Sequence, residues 1–155
     1  MSSDEAKIEV QQVEQSVLSK RMTALGVAGL AIALLCIALF LNPSPEGVGT
    51  HHQLGLPKCG WILAANIPCP TCGMTTAWSH TVRGELPSAF LAQPLGMLLA
   101  IATMVIAVCA LGSALLGISF QFVLFRLMTT KVWIAIAGIA IVSWGFKILI
   151  HRGVL

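Results

Sequence analysis

Cys69-Pro70-Thr71-Cys72-Gly73 carries the side chains of this chain best suited to chemistry. A third cysteine, Cys59, precedes it, and His51 and His52 lie upstream again. Thiols at this spacing can ligate a cation, close a disulfide, or cycle electrons as a dithiol pair. In the metal reading, Cys59, Cys69 and Cys72 supply three thiolates and His52, or its neighbour His51, completes a Cys₃His set, an accepted arrangement for zinc. The proline and glycine let backbone amides turn toward the sulfurs. In the redox reading, Cys69 and Cys72 are the catalytic pair of a membrane thiol-disulfide oxidoreductase, with Cys59 as resolving thiol. A thiolate at the start of a helix sits at its positive end, which lowers the thiol pKa. A structural disulfide or simple close packing uses the same residues without reactivity. A single C-x-x-C does not choose among these.

The local pattern predicts a helix over about 70–83. Pro70 suits a first helical position because it lacks an N–H, Cys69 would be the N-cap, and Gly84 supplies the stop. On that helix Cys72, Thr76, His80 and Arg83 form one polar stripe, leaving Met74, Ala77, Trp78 and Val82 to enter the bilayer surface. His80 is then about 12 Å along the axis from Cys72, too far to share one ion whose ligand bonds are near 2.0–2.3 Å. Arg83 and Glu85 flank Gly84 and read as caps or anchors of the helix.

The scaffold around these residues is that of a membrane protein. The chain has 155 residues, 57% hydrophobic and only 10% charged, against roughly 25% charged in soluble domains. Three runs are long and apolar enough to cross about 30 Å of hydrocarbon. The fold expected is all-α and polytopic, with three transmembrane helices and a short interfacial helix in a cysteine-containing loop. The divisions are a polar N-terminal segment (1–21), a first span (22–41), the loop (42–93), a second span (94–119), a short loop (120–131), a third span (132–150) and a tail (151–155). Val10, Val13 and Val17 recur at helical spacing, so residues 1–20 make either a short amphipathic helix along the membrane face or a frayed tail. The 42–93 loop holds three of the five cysteines and three of the four histidines. Cys36 and Cys109 fall within spans, where a free cysteine packs as a small apolar residue. Gly26, Gly29, Gly112, Gly117 and Gly138 are candidates for close helix approach. Lys147, one turn from the end of the third span, is placed to snorkel to the headgroups. Trp133 and Trp144 lie towards opposite ends of that span, as in an aromatic belt.

Charge placement sets the expected orientation. Lys7, Lys20, Arg21, Arg126 and Lys131 fall on one side and Lys58, Arg83 and Arg152 on the other. The positive-inside rule therefore puts the N-terminus in the cytoplasm, with the 42–93 loop outside the inner (cytoplasmic) membrane. The first span starts too late and runs too long for a cleaved signal peptide and reads as an anchor. A net charge of +3, spread along the chain, gives nucleic-acid binding no support. Lys147 is the sole ionisable residue within a span, which argues against an ion or proton transporter. The expected partners are the lipid bilayer and, because three spans bury little of their own surface, further copies or a larger membrane complex.

Cys59, the run Cys69-Pro70-Thr71-Cys72-Gly73-Met74-Thr75, Arg83-Gly84-Glu85-Leu86 and Gln93-Pro94-Leu95 together resemble a bacterial membrane family labelled domain of unknown function 2752. That family has an upstream cysteine, then C-P-x-C-G-x-T-R, H-G-D, and N-P-L before a span. The resemblance covers about residues 57 to 97. Thr76 stands where the family has arginine, Arg83 where it has histidine, and Glu85 where it has aspartate. The resemblance implies a membrane protein in which the three cysteines matter, and it carries no activity. The favoured expectation is a non-enzymatic membrane protein or accessory subunit with a structural zinc or disulfide at Cys59, Cys69 and Cys72. The membrane thiol-disulfide oxidoreductase is the alternative.

Overall fold

A computed structural model describes residues 3–57, 59–116 and 129–153, with side chains of the first helix described from residue 15 onward. Among the described residues all regular structure is helical: α1 (Ser3–Phe40), a 3-10 turn (Thr50–Leu54), α2 (Gly60–Ala65), α3 (Met74–Val82), α4 (Leu86–Ala92), α5 (Pro94–Leu116) and α6 (Thr130–His151). Segments Gln15–Phe40, Pro94–Leu116 and Thr130–His151 are each long and apolar enough to cross a membrane. The chain is an all-helical membrane protein with three candidate spans and shorter helices in the loop between the first two. Of the expected second connection (120–131), residues up to 128 lie outside the described residues, as do positions 117–119, Gly117, Lys58 and Arg126.

The polar N-terminal segment is not separate from the first span. Nothing between Ser3 and Phe40 breaks the helical dihedrals, so α1 is one helix of 38 residues, about 57 Å at 1.5 Å per residue and longer than the hydrocarbon core.

Helices α1 and α5 form the main pairing of the fold. The contact is built on alanines: Ala24, Ala28, Ala31 and Ala38 of α1 are buried, as are Ala100, Ala107 and Ala110 of α5. Their spacing of three, four and seven keeps them on one face of each helix. In lipid there is no hydrophobic gain from bringing two apolar helices together, so van der Waals contact between small residues drives the pairing. The glycines expected to do this do not. A Cβ placed on Gly26, Gly29, Gly112 or Gly138 meets nothing within 4 Å. These positions point away from the protein, and the alanines occupy the seam. Cys36 and Cys109, expected to pack, are exposed on the helix surfaces.

The loop folds over the ends of the spans. Gln53 closes its first segment, donating from Nε2 to the Asn42 carbonyl and accepting from the Asn42 N–H at Oε1. Helix α3 packs among α1, α4 and α5. Gly96 allows its crossing of α5, since a Cβ there would lie 3.0 Å from the Ala77 Cβ and 3.2 Å from the Met74 Cα.

Candidate metal centre

The cysteine motif folds as a turn, not as the start of a helix. The Cys72 N–H donates to the Cys69 carbonyl at 3.0 Å and the Met74 N–H to the Thr71 carbonyl at 3.1 Å. Pro70 takes the second position of the first turn, where its fixed φ is favourable. Gly73 follows at φ 86°, and α3 begins only at Met74. The expectation of a helix from Pro70 with Cys69 as N-cap is therefore corrected, because the left-handed glycine interrupts the helical dihedrals. Gly73 is also a position of close approach: a Cβ there would lie 2.6 Å from the Ala92 carbonyl oxygen and 2.7 Å from that of Gly47. Cys72 thus stands before α3, outside any stripe with Thr76 and His80.

This turn and the N-terminal end of α2 bring together residues well separated along the chain. The Sγ atoms of Cys59, Cys69 and Cys72 all lie within 4.8 Å of one another, and Cys69 and Cys72 are 3.4 Å apart. Tetrahedral zinc with bonds near 2.3 Å separates its sulfurs by about 3.8 Å, so the cluster has the dimensions of three corners of such a site and could hold a metal ion. All five cysteines are free thiols, and the disulfide alternative is not formed. Cys72 is buried, whereas Cys59 and Cys69 are partly exposed.

The three sulfurs are electrostatically unequal. Burial, then the neighbouring Cys59 and Cys69 thiols, push Cys72 up to about 12. Burial also acts upward on Cys59, but hydrogen bonds from the Ile62 backbone, from the Cys72 thiol and from the Cys69 and Trp61 backbone outweigh it and bring Cys59 from 9.0 to about 7. One thiolate is favoured and a second is opposed. Sulfurs this close ionise together only when a cation neutralises them.

A cavity of about 330 Å³ adjoins the cluster, with Cys59 and Cys72 on one wall and Ser44, Glu46, His51 and His52 among its other lining residues. His52 is not within the three-sulfur group. Its Nδ1–H donates to the Leu56 carbonyl at 3.0 Å, which leaves Nε2 as the basic nitrogen of a neutral ring. His51 has the opposite arrangement, with Nε2–H donating to the Pro57 carbonyl at 3.2 Å.

The remaining motif residues hold this site in place. Gln93 is fully buried, and its Nε2 donates to the Pro70 carbonyl at 2.9 Å, fixing the cysteine turn. Thr76, expected on a polar stripe with Cys72 and His80, is fully buried and shares a 2.8 Å hydrogen bond with Thr50, whose hydroxyl also accepts from the Ser44 N–H. Arg83 reaches back to the end of α1, donating to the Leu39 carbonyl at 2.6 Å and the Ala38 carbonyl at 3.4 Å. It caps the negative end of another helix as well as its own. His80 pairs with Glu85.

Residues 59–107 match the model of a family described as a protein of unknown function, DUF2752. The match supports the family resemblance and runs from Cys59 through the cysteine turn, α3 and α4 into α5. No curated protein and no solved structure matches the chain.

The DUF2752 segment does not contain the whole site. Helix α6 meets the loop and the start of α5 through Ser143, Trp144, Lys147 and His151, of which Trp144 and Lys147 were expected in other roles. Ser143 Oγ accepts from the Leu95 N–H at 3.1 Å, Trp144 Nε1 donates to the Pro68 carbonyl at 2.9 Å, and His151 meets Asn66 at 3.3 Å. Trp144 stacks edge-on with Trp61 at 6.1 Å and so is no simple belt residue. Lys147 does not snorkel outward: it is 3% exposed and donates to the Gly47 carbonyl at 3.1 Å. Ser143, Lys147 and His151 are spaced by four, and that polar period within an apolar helix was the available signal.

Proposed function

We propose that this chain is a small, non-enzymatic integral membrane protein whose loop is organised by a zinc ion held by Cys59, Cys69, Cys72 and His52. The observation that carries the reading is the mutual approach of the three sulfurs within 4.8 Å. The donor set supports it further: His52 is oriented by a backbone carbonyl through Nδ1, the usual outer-shell arrangement of a ligating histidine, and lines the same cavity as Cys59 and Cys72. Zinc would lower the thiol pKa values and satisfy a group of sulfurs that cannot all ionise unaided. The role is structural and serves a membrane complex or homo-oligomer. The protein sits in the cytoplasmic membrane of a bacterium with its N-terminus in the cytoplasm, as Lys20 and Arg21 beside the first span favour.

A redox reading has one observation in its favour, the 3.4 Å separation of Cys69 and Cys72. The downward shift that favours a thiolate falls on Cys59, outside that pair, while Cys72 is shifted upward. Metal analysis of detergent-purified protein, paired with membrane-impermeant maleimide labelling of intact cells, separates the two. About one zinc per chain, with labelling only after chelation, is the expected result. Labelling only after reduction would instead assign a disulfide-forming pair. Absence of metal together with thiols labelled under every condition would sink the zinc centre.

A further inference from the structure

Lys147 occupies a helix apolar and long enough to cross the membrane, yet its side chain turns inward beneath the cysteine turn. Two glycine backbones close around the ammonium. It donates to the Gly47 carbonyl, and a Cβ on either Gly47 or Gly73 would lie 3.3 Å from Nζ. Among the described side chains the only ion pair is His80 with Glu85, so no carboxylate there pairs with Lys147. One neutral carbonyl does not balance a buried ammonium, whose removal from water costs several kcal/mol in order of magnitude unless an opposite charge answers it. A neighbouring group that can be negative is the thiol cluster, because Gly73, against which Nζ lies, directly follows Cys72.

We propose that Lys147 is the counter-charge of the metal centre, a positioning residue that joins α6 to it. This inference rests on the zinc reading above. A divalent cation with three thiolates and one neutral imidazole carries a single net negative charge. The ammonium beside Gly73 cancels it, so the centre and Lys147 together are neutral. The same contact makes α6 part of the site although it lies outside the family-matched segment.

The test compares zinc affinity, by chelator competition in detergent, across Lys147 variants. Lys147→Met removes the charge, suits an apolar helix, and should weaken zinc by about 10- to 100-fold, the range for lost outer-shell partners. Lys147→Arg should recover most of that loss. The decisive arm uses Cys69→His, which leaves two thiolates against a divalent cation and so makes the loaded centre neutral: there Lys147→Met should cost less than about 3-fold, because no net charge remains to answer. A packing role would cost the same in both backgrounds and would overturn the proposal. So would equal affinity in wild type and Lys147→Met. Should Lys147→Met fail to accumulate, Lys147→Gln set against Lys147→Arg decides the matter equally: Gln must lose zinc and Arg must keep it. Wild-type protein without zinc would instead refute the centre itself, so the two failures are distinguishable.

Discussion

The α1–α5 pair and the junction of α6 with the loop solve the same problem by different means. Between α1 and α5 the contact is made of alanine methyl groups on matching faces. Helix α6 is the least buried of the spans, at 11% of its apolar window against 28% for α5. It is held chiefly at its C-terminal end by hydrogen bonds: Ser143 accepts from the start of α5, and Trp144, Lys147 and His151 bond to the loop. In lipid an apolar helix gains little by touching another apolar helix. A helix without a small-residue seam needs polar contacts, and those concentrate where the cysteine centre lies. The first contact rests on shape, whereas the second, on the proposal above, also depends on the state of the sulfurs.

The largest difference between the regions should follow disruption of the centre. Cys59→Ser should reduce zinc from about one per chain to near none, and hydrogen exchange should then rise around residues 66–73 and 143–151. Protection along Ala100–Ala110 should stay unchanged. Equal loss of protection in both places would mean that the two regions are one cooperative unit. Next in size is Gly73→Ala, which combines a left-handed φ with contacts of 2.6 and 2.7 Å and should cost at least about 2 kcal/mol in a membrane-protein unfolding assay. Gly138→Ala, with open space at its Cβ, should change stability by less than about 0.5 kcal/mol. That pair of glycines tests whether the junction or the span surface is the constrained part.

Ala110→Leu should overpack the fully buried α1–α5 seam and cost about 1–3 kcal/mol, with zinc affinity unaltered. A change in zinc affinity would show that the seam and the junction are coupled. A local effect is expected of Trp144→Phe. It removes the hydrogen bond to the Pro68 carbonyl while keeping the ring against Trp61, and should cost about 1 kcal/mol. The loss should appear as faster exchange at the C-terminal end of α6 alone.

Much of the fold was legible because the governing constraint is local. A span must be apolar for about 20 residues whatever it packs against, so Met22–Leu41, the run from Pro94 and the run to Ile150 could be read directly. Which face of each span meets protein was not legible. Gly26 and Gly138 are as small as Ala28 and Ala110, and only the helix rotation separates lipid-facing from buried positions. The site was partly legible: Cys59, Cys69 and Cys72 were grouped from their chemistry, and His80 does lie outside the group, although the unbroken helix used to exclude it is interrupted at Gly73. The helix start at Pro70 was misplaced because a proline serves a turn as readily as a first helical position. The left-handed Gly73 decided between them, under the crowding of the Ala92 and Gly47 carbonyls.

The order of amino acids was enough for the class of protein, its three spans, and the cysteines able to act together, since hydrophobic length and donor chemistry are properties of short stretches. Folding in three dimensions settled that Cys59 reaches the turn, that Thr76 is buried against Thr50, and that Lys147, 75 positions after Cys72 in the chain, lies beneath it. Those contacts join segments distant in sequence, and the cost of burying a charge or a thiol is set by what surrounds it in space rather than along the chain.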